Sequence, residues 1–135
     1  MVDLRAKPFS LSEEQIQWVE KTLADMTLEE KIGQLFIVLN FQRDESHIRQ
    51  LCEKYHIGGV RWQGGTPEEV YVQNQMFQQF SKVPVLIAAN CEAGGNGAVG
   101  KGTMVASGAA CAACSDDSTA HAMARVGGKE AAALG

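Results

Sequence analysis

The sequence lacks any excess of positive charge. Its 12 lysines and arginines stand against 16 aspartates and glutamates, a formal charge of −4. It offers no basic footprint for nucleic acid and no polybasic anchor for a membrane. Long apolar runs are missing as well: the most apolar stretches, around Leu35 to Leu39 and Val83 to Ala89, fall far short of the roughly 18 residues that span a bilayer. No membrane role is expected. The N-terminus carries Asp3, Arg5 and Lys7 and then turns polar, with no apolar core or small-residue cleavage site of a secretory leader. The expected location is therefore the cytoplasm.

Cysteine is sparse, and its spacing excludes most of what cysteine does. Cys52, Cys91, Cys111 and Cys114 do not have the pattern of a small disulfide scaffold. Cys111-x-x-Cys114 is half of a zinc site, but no second close pair follows, His121 stands alone, and no His follows Cys114 as haem attachment would require. Ordinary buried or half-buried thiols are the expectation, with a redox pair as the alternative. A Ser-His-Asp constellation is also missing, since the three histidines are scattered and Ser107 is followed by Gly108 without a nucleophile-elbow pattern. His47 and His56 are expected in surface or capping roles.

What is present reads as an α/β chain of at most one domain, since 135 residues with 45% apolar side chains supply one modest core. Ser12 with Gln15 and Thr27 with Glu30 are capping boxes opening two helices; the first carries Ile16, Val19, Leu23 and Met26 at spacings of three and four. Phe36 to Leu39 reads as a short buried strand. A helix over 44–55 places Ile48, Leu51, Cys52 and Tyr55 on one side, and Ile57 to Trp62 is a second strand. Thr66, Pro67 and Glu69 then mark the clearest helix start, with Val70, Phe77 and Phe80 inside. Val83 to Ala89 is a third strand, expected to be fully buried because its apolar residues do not alternate with polar ones. Trp18, like Phe77 and Phe80, is expected in the core.

Each crossover is long enough for a parallel connection. From Ala88 onward Ala and Gly fill half of the positions, and the stretch 91–115 has no period, so it reads as a long ordered loop before a final helix starting near Asp116 or Ser118. Three parallel strands are too few for a closed barrel, which needs eight; the chain is either a small open sheet or the first part of something larger.

The glycine-rich stretch contains Gly95-x-Gly97-x-x-Gly100, a dinucleotide-binding look-alike, and Gly95 to Lys101 matches the start of a phosphate-binding loop. The first lacks a helix opened by its glycines, and the second has Gly102 where a Ser or Thr should hold magnesium. Asn90 and Glu92 are a different signal. They emerge from the apolar run Val85 to Ala89 at a strand's carboxyl end, where ligands are bound in parallel α/β folds, and together they donate to and accept from hydroxyl groups. Asp116 and Asp117 read as helix-start residues rather than as partners for Glu92 in paired-carboxylate chemistry. Trp62, closing the second strand, reads equally as a sugar platform or as packing.

Met26 to Leu35 (MTLEEKIGQL), Ile57 to Val60 (IGGV) and Val85 to Gly95 (VLIAANCEAGG), in this order, resemble the beginning of a family 3 glycoside hydrolase. The resemblance runs from about Leu11 to Gly135. It implies that residues 1–135 are the N-terminal portion of a (β/α)8 barrel, about three parallel strands with flanking helices, incomplete at the C-terminus. It also implies retaining hydrolysis of β-glucosides or N-acetyl-β-glucosaminides by the full-length parent, a carbohydrate substrate and no cofactor. Carried over by residue, Asn90 stands where the family has an Asp that binds sugar hydroxyls, and Glu92 matches the Glu two positions later. Ala93-Gly94 replaces Gly-Gly, and Asn96 and Gly97 stand where an Arg is usual. The nucleophile and the acid/base are expected beyond residue 135, so this segment supplies sugar-binding residues, Asn90, Glu92 and Trp62, and no catalytic ones. The rival readings are a non-catalytic structural or interaction fragment and a nucleotide-binding α/β domain. A chain cut at this point bares a strand edge and an apolar face and is expected to self-associate.

Overall fold

The computed structural model describes residues 2–62 and 64–135. Helix α1 (Glu13–Asp25) and helix α2 (Leu28–Gly33) begin at complete capping boxes, Ser12 with Gln15 and Thr27 with Glu30. Strand β1 (Ile37–Asn40) follows. Helix α3 (Glu45–Arg49), N-capped by Asp44, runs into a π turn over Gln50–Lys54. Strand β2 (Gly59–Trp62) leads to helix α4 (Pro67–Phe80), opened by the Thr66–Glu69 box with proline in its first turn, and then to strand β3 (Leu86–Ala88). Beyond it lie a single 3₁₀ turn at Gly95–Gly97, the short helix α5 (Gly108–Ala112) and the long helix α6 (Ser118–Ala133).

The three strands form one parallel sheet in the order β1-β2-β3, with Ile37 opposite Gly59 and Gly59 opposite Leu86. Side chains alternate across it. Val38, Val60 and Ile87 turn toward the helices, where Ile48, Cys52, Ile57, Phe77 and Val85 form the main core. A second cluster of Trp62, Val70, Ala98, Val99 and Leu134 joins the end of β2 to α4 and the end of α6. Asn74 of α4 donates its side-chain N–H to the carbonyl of Leu134 at 2.8 Å, pinning the last turn of the chain to the helix layer.

The opposite face is bare. Ile37 is 61% exposed and Leu86 70%, so β3 is covered on one side only, not on both as its unbroken apolar run implies. Two further expectations are corrected. Trp18 is 56% exposed: α1 buries Ile16 and leaves the indole beside an open apolar groove of about 530 Å³ with Leu23, Leu35 and Val83. Tyr55 is also exposed, because it follows the π turn that ends the third helix one residue earlier. Residues 91–115 are irregular apart from the 3₁₀ turn and α5. No helix among the described residues is long and apolar enough to cross a membrane.

At the amino end of the sheet, the backbones of Gly33 and Gly58 close together, and Gly58 N–H donates to the carbonyls of Gly33 and Phe36, both at 3.1 Å. A methyl group on Gly58 would lie 2.0 Å from the Gln34 carbonyl oxygen. Gln34 then reaches across with its side-chain N–H to the His56 carbonyl at 2.8 Å. The close approach accounts for glycines in both of these sequence stretches.

Candidate functional site

The three loops leaving the carboxyl ends of the strands are tied to one another. Arg43, after β1, donates to the Gly64 carbonyl at 2.6 Å, and Gly100 N–H, after β3, donates to the Gly65 carbonyl at 3.1 Å. The loop after β3 is in turn folded onto itself, with Asn96 N–H on the Thr103 carbonyl at 3.2 Å and Val105 N–H on the Ala93 carbonyl at 3.0 Å. Glu130 of α6 holds the far limb, accepting from the Thr103 N–H at 2.9 Å and from its hydroxyl. These two bonds hold the Glu130 carboxyl below the ordinary glutamate range. Gly95 packs against that side chain so closely that a methyl group there would sit 1.7 Å from Glu130 Oε2.

Asn90 and Glu92 lie together at the start of this loop. Asn90 Nδ2 donates to Glu92 Oε1 at 3.1 Å, and Asn90 Oδ1 accepts from Arg61 Nε at 3.0 Å. Arg61 belongs to β2 and lies in register with Leu39 of β1 and Ala88 of β3. It is therefore on the sheet face away from the helices. A guanidinium, an amide and a carboxylate thus run in a hydrogen-bonded chain along the mouth of the sheet. Glu92 is exposed and borders a groove of about 380 Å³ with Cys91, Val105, Cys111 and Met123. Such a row presents donors and acceptors of fixed direction, as polyhydroxyl ligands require.

Trp62 is at the same end of the sheet, but its side chain is not with the other two. Two residues on from Val60, it turns toward the helices, is 3% exposed, and packs with Val70, Ala98 and Val99. It borders a separate cavity of about 300 Å³ with Asn74, Ile87 and Leu134, and its buried indole N–H has no partner among the described residues. The structure thus brings Asn90 and Glu92 together and sets Trp62 behind them.

Arg61 was not singled out in the sequence. The signal for it was present: a charged residue inside an otherwise apolar strand, at the alternate position to Val60 and Trp62. His47 Nε2 lies 3.0 Å from Asn40 Oδ1, a supporting contact behind β1. Cys52 is buried, Cys91 and Cys111 are half-buried and Cys114 is exposed, all as free thiols. Burial pushes the Cys52 thiol up. Among the described residues no cluster of three His, Cys, Asp or Glu side chains suits a metal ion. The glycine-rich loop makes only a single 3₁₀ turn, at Gly95–Gly97, with no α-helix opened by its glycines, and Gly95 packs against the Glu130 carboxylate. Both features oppose phosphate binding by that loop.

Successive parallel β/α units with polar side chains gathered at the strands' carboxyl ends define the class, an α/β fold consistent with part of a (β/α)8 barrel. Residues 27–135 match the N-terminal domain of the glycosyl hydrolase family 3, and the chain belongs to that family. It is 38% identical over 135 residues to a β-N-acetylglucosaminidase/β-glucosidase of Cellulomonas fimi, covering all of this chain and 24% of that protein. Among solved structures it is similar to the β-glucoside phosphorylase BglX bound to 2FGlc, with a TM-score of 0.89 and 35% identity over 98% of this chain and 24% of the other. A second structure of a β-glucoside phosphorylase BglX gives a TM-score of 0.86 and 36% identity, over 98% and 23%. The chain thus spans about a quarter of the length of these relatives.

Proposed function

We propose that the whole protein cleaves β-glycosidic bonds of glucosides or N-acetylglucosaminides with retention, and that this segment forms part of the wall that holds the sugar. The observation that carries the reading is the Asn90–Glu92 pair at the barrel mouth of a family 3 chain. In the sugar-bound state Glu92 accepts hydroxyl hydrogens, and Asn90, its amide already oriented, adds a donor. The segment supplies binding and orientation. A carboxylate nucleophile from elsewhere in the barrel attacks the anomeric carbon, and an acid protonates the departing oxygen, leaving a glycosyl-enzyme. The reading needs no cofactor. Four free thiols fit a cytoplasmic setting.

A second reading differs only in the acceptor. Both solved relatives are named β-glucoside phosphorylases, so the glycosyl-enzyme here is a candidate for attack by a phosphate oxygen, which forms a sugar 1-phosphate and releases the enzyme carboxylate. The test assays the whole protein on aryl β-glucoside and aryl N-acetyl-β-glucosaminide, with and without inorganic phosphate. Release of free sugar alone supports hydrolysis, and sugar 1-phosphate supports phosphorolysis. Inactivity on both substrates in both buffers removes the reading. Residues 1–135 alone are expected to show no turnover. Activity there that disappears on Glu92→Gln would make Glu92 a catalytic carboxylate instead of a binding one.

A further inference from the structure

We infer that Arg61 is a positioning residue for sugar recognition: it sets the orientation of the Asn90 amide and, through it, of the Glu92 carboxylate. The inference rests on the functional reading above and adds a residue to it. Arg61 starts from the apolar layer of Leu39 and Ala88 and is half-buried. From there its Nε–H donates to Asn90 Oδ1 at 3.0 Å.

An amide has one accepting and one donating end. With Oδ1 committed to a guanidinium N–H, the NH₂ end must face the other way, and there it meets Glu92 Oε1 at 3.1 Å. The flipped amide would set N–H against N–H and oxygen against carboxylate, so neither neighbour admits it. Glu92, one oxygen held, keeps the other for a ligand hydroxyl in a fixed direction. The same chain explains why an amide suits position 90. An aspartate there would satisfy Arg61 but would bring a second negative charge to hydrogen-bond distance from Glu92, with no donor left to hold it. Asn90 links a cation to an anion without adding a charge.

The test is a double-mutant cycle on the whole protein, reading kcat/KM for an aryl β-glycoside. Arg61→Met is expected to lower kcat/KM about 10- to 100-fold, the range for losing a hydrogen bond to a charged group. In a Glu92→Gln background the same change should cost less than about threefold, because the carboxylate it positions is already gone. Such coupling is what a shared chain produces; a residue that only stabilises the fold would cost the same in both backgrounds. Arg61→Lys, which keeps the charge and lacks the Nε–H, carries the same cycle if the methionine variant does not fold. Equal losses in the two backgrounds, in an active wild type, overturn the role of Arg61 alone. A wild type inert on β-glycosides in both water and phosphate overturns the functional reading and this role with it.

Discussion

The two faces of the sheet are made of similar residues and have opposite surroundings. On the helix side Val60 is fully buried and packs with Ile48 and Phe77. On the other side Ile37, Leu39 and Leu86, just as apolar, are open. A strand in a barrel needs apolar residues on both faces because helices cover one and the opposing strands cover the other. The unbroken apolar runs in this sequence suit strands covered on both faces, and here only the helix side is covered. It also separates two kinds of residue on the bare face. Those low in the strands are open to solvent, whereas Arg61 near the top is held by its hydrogen bond to Asn90.

Substitutions on the two faces should have effects of different size. The largest effect is expected on the covered face: Phe77→Ala, at a fully enclosed site, should cost about 3–5 kcal/mol in urea unfolding. A loss below about 1 kcal/mol would mean that the helix layer is not the principal core. Next is Leu86→Ala, which in the whole protein should cost about 2–4 kcal/mol although the side chain is open here; no change would show that the face stays uncovered. In residues 1–135 alone that face should drive self-association, so sedimentation should move toward monomer on Leu86→Lys. At the amino end of the sheet, Gly58→Ala forces a methyl group into the Gln34 carbonyl and should cost about 1–3 kcal/mol. Ile48→Val, a single methylene in the same core as Phe77, should cost about 0.5–1.5 kcal/mol.

The smallest effect concerns acid. Glu130 is held below the ordinary glutamate range by the Thr103 hydroxyl and N–H. A depressed carboxyl stabilises the fold fully above its unfolded value and loses that contribution as pH falls through its folded value. Protection of the Thr103 amide against hydrogen exchange should therefore fall on acidification below the usual carboxylate range and should be insensitive to pH there in Glu130→Gln. Identical pH dependence in the two proteins would refute the clamp.

Local chemistry was the most legible part of the sequence. The three capping boxes and the proline in the first turn of α4 place helix starts within a residue, because both partners lie three positions apart and depend on nothing distant. Burial was less legible, since Trp18 has the spacing of a core residue yet stands exposed beside an open apolar groove. The π turn after Arg49 has no sequence signature of comparable strength. At the site, Asn90 and Glu92 could be read because they break an apolar run at a strand end, whereas Trp62 sits at the same end with its parity reversed. Glu130 and Thr103, 27 positions apart, meet only through the fold of a loop that carries no period.

The glycine contact at Gly33 and Gly58 lies at the amino end of the sheet, and the Arg61–Asn90–Glu92 chain lies at the carboxyl end, separated by the length of a four-residue strand, about 13 Å at the usual rise. A substitution at the mouth can therefore alter the polar chain without disturbing the glycine contact, whereas a side chain at Gly58 meets the Gln34 backbone. The two ends of the sheet answer to different constraints: one to the direction of hydrogen bonds, the other to the room left between backbones.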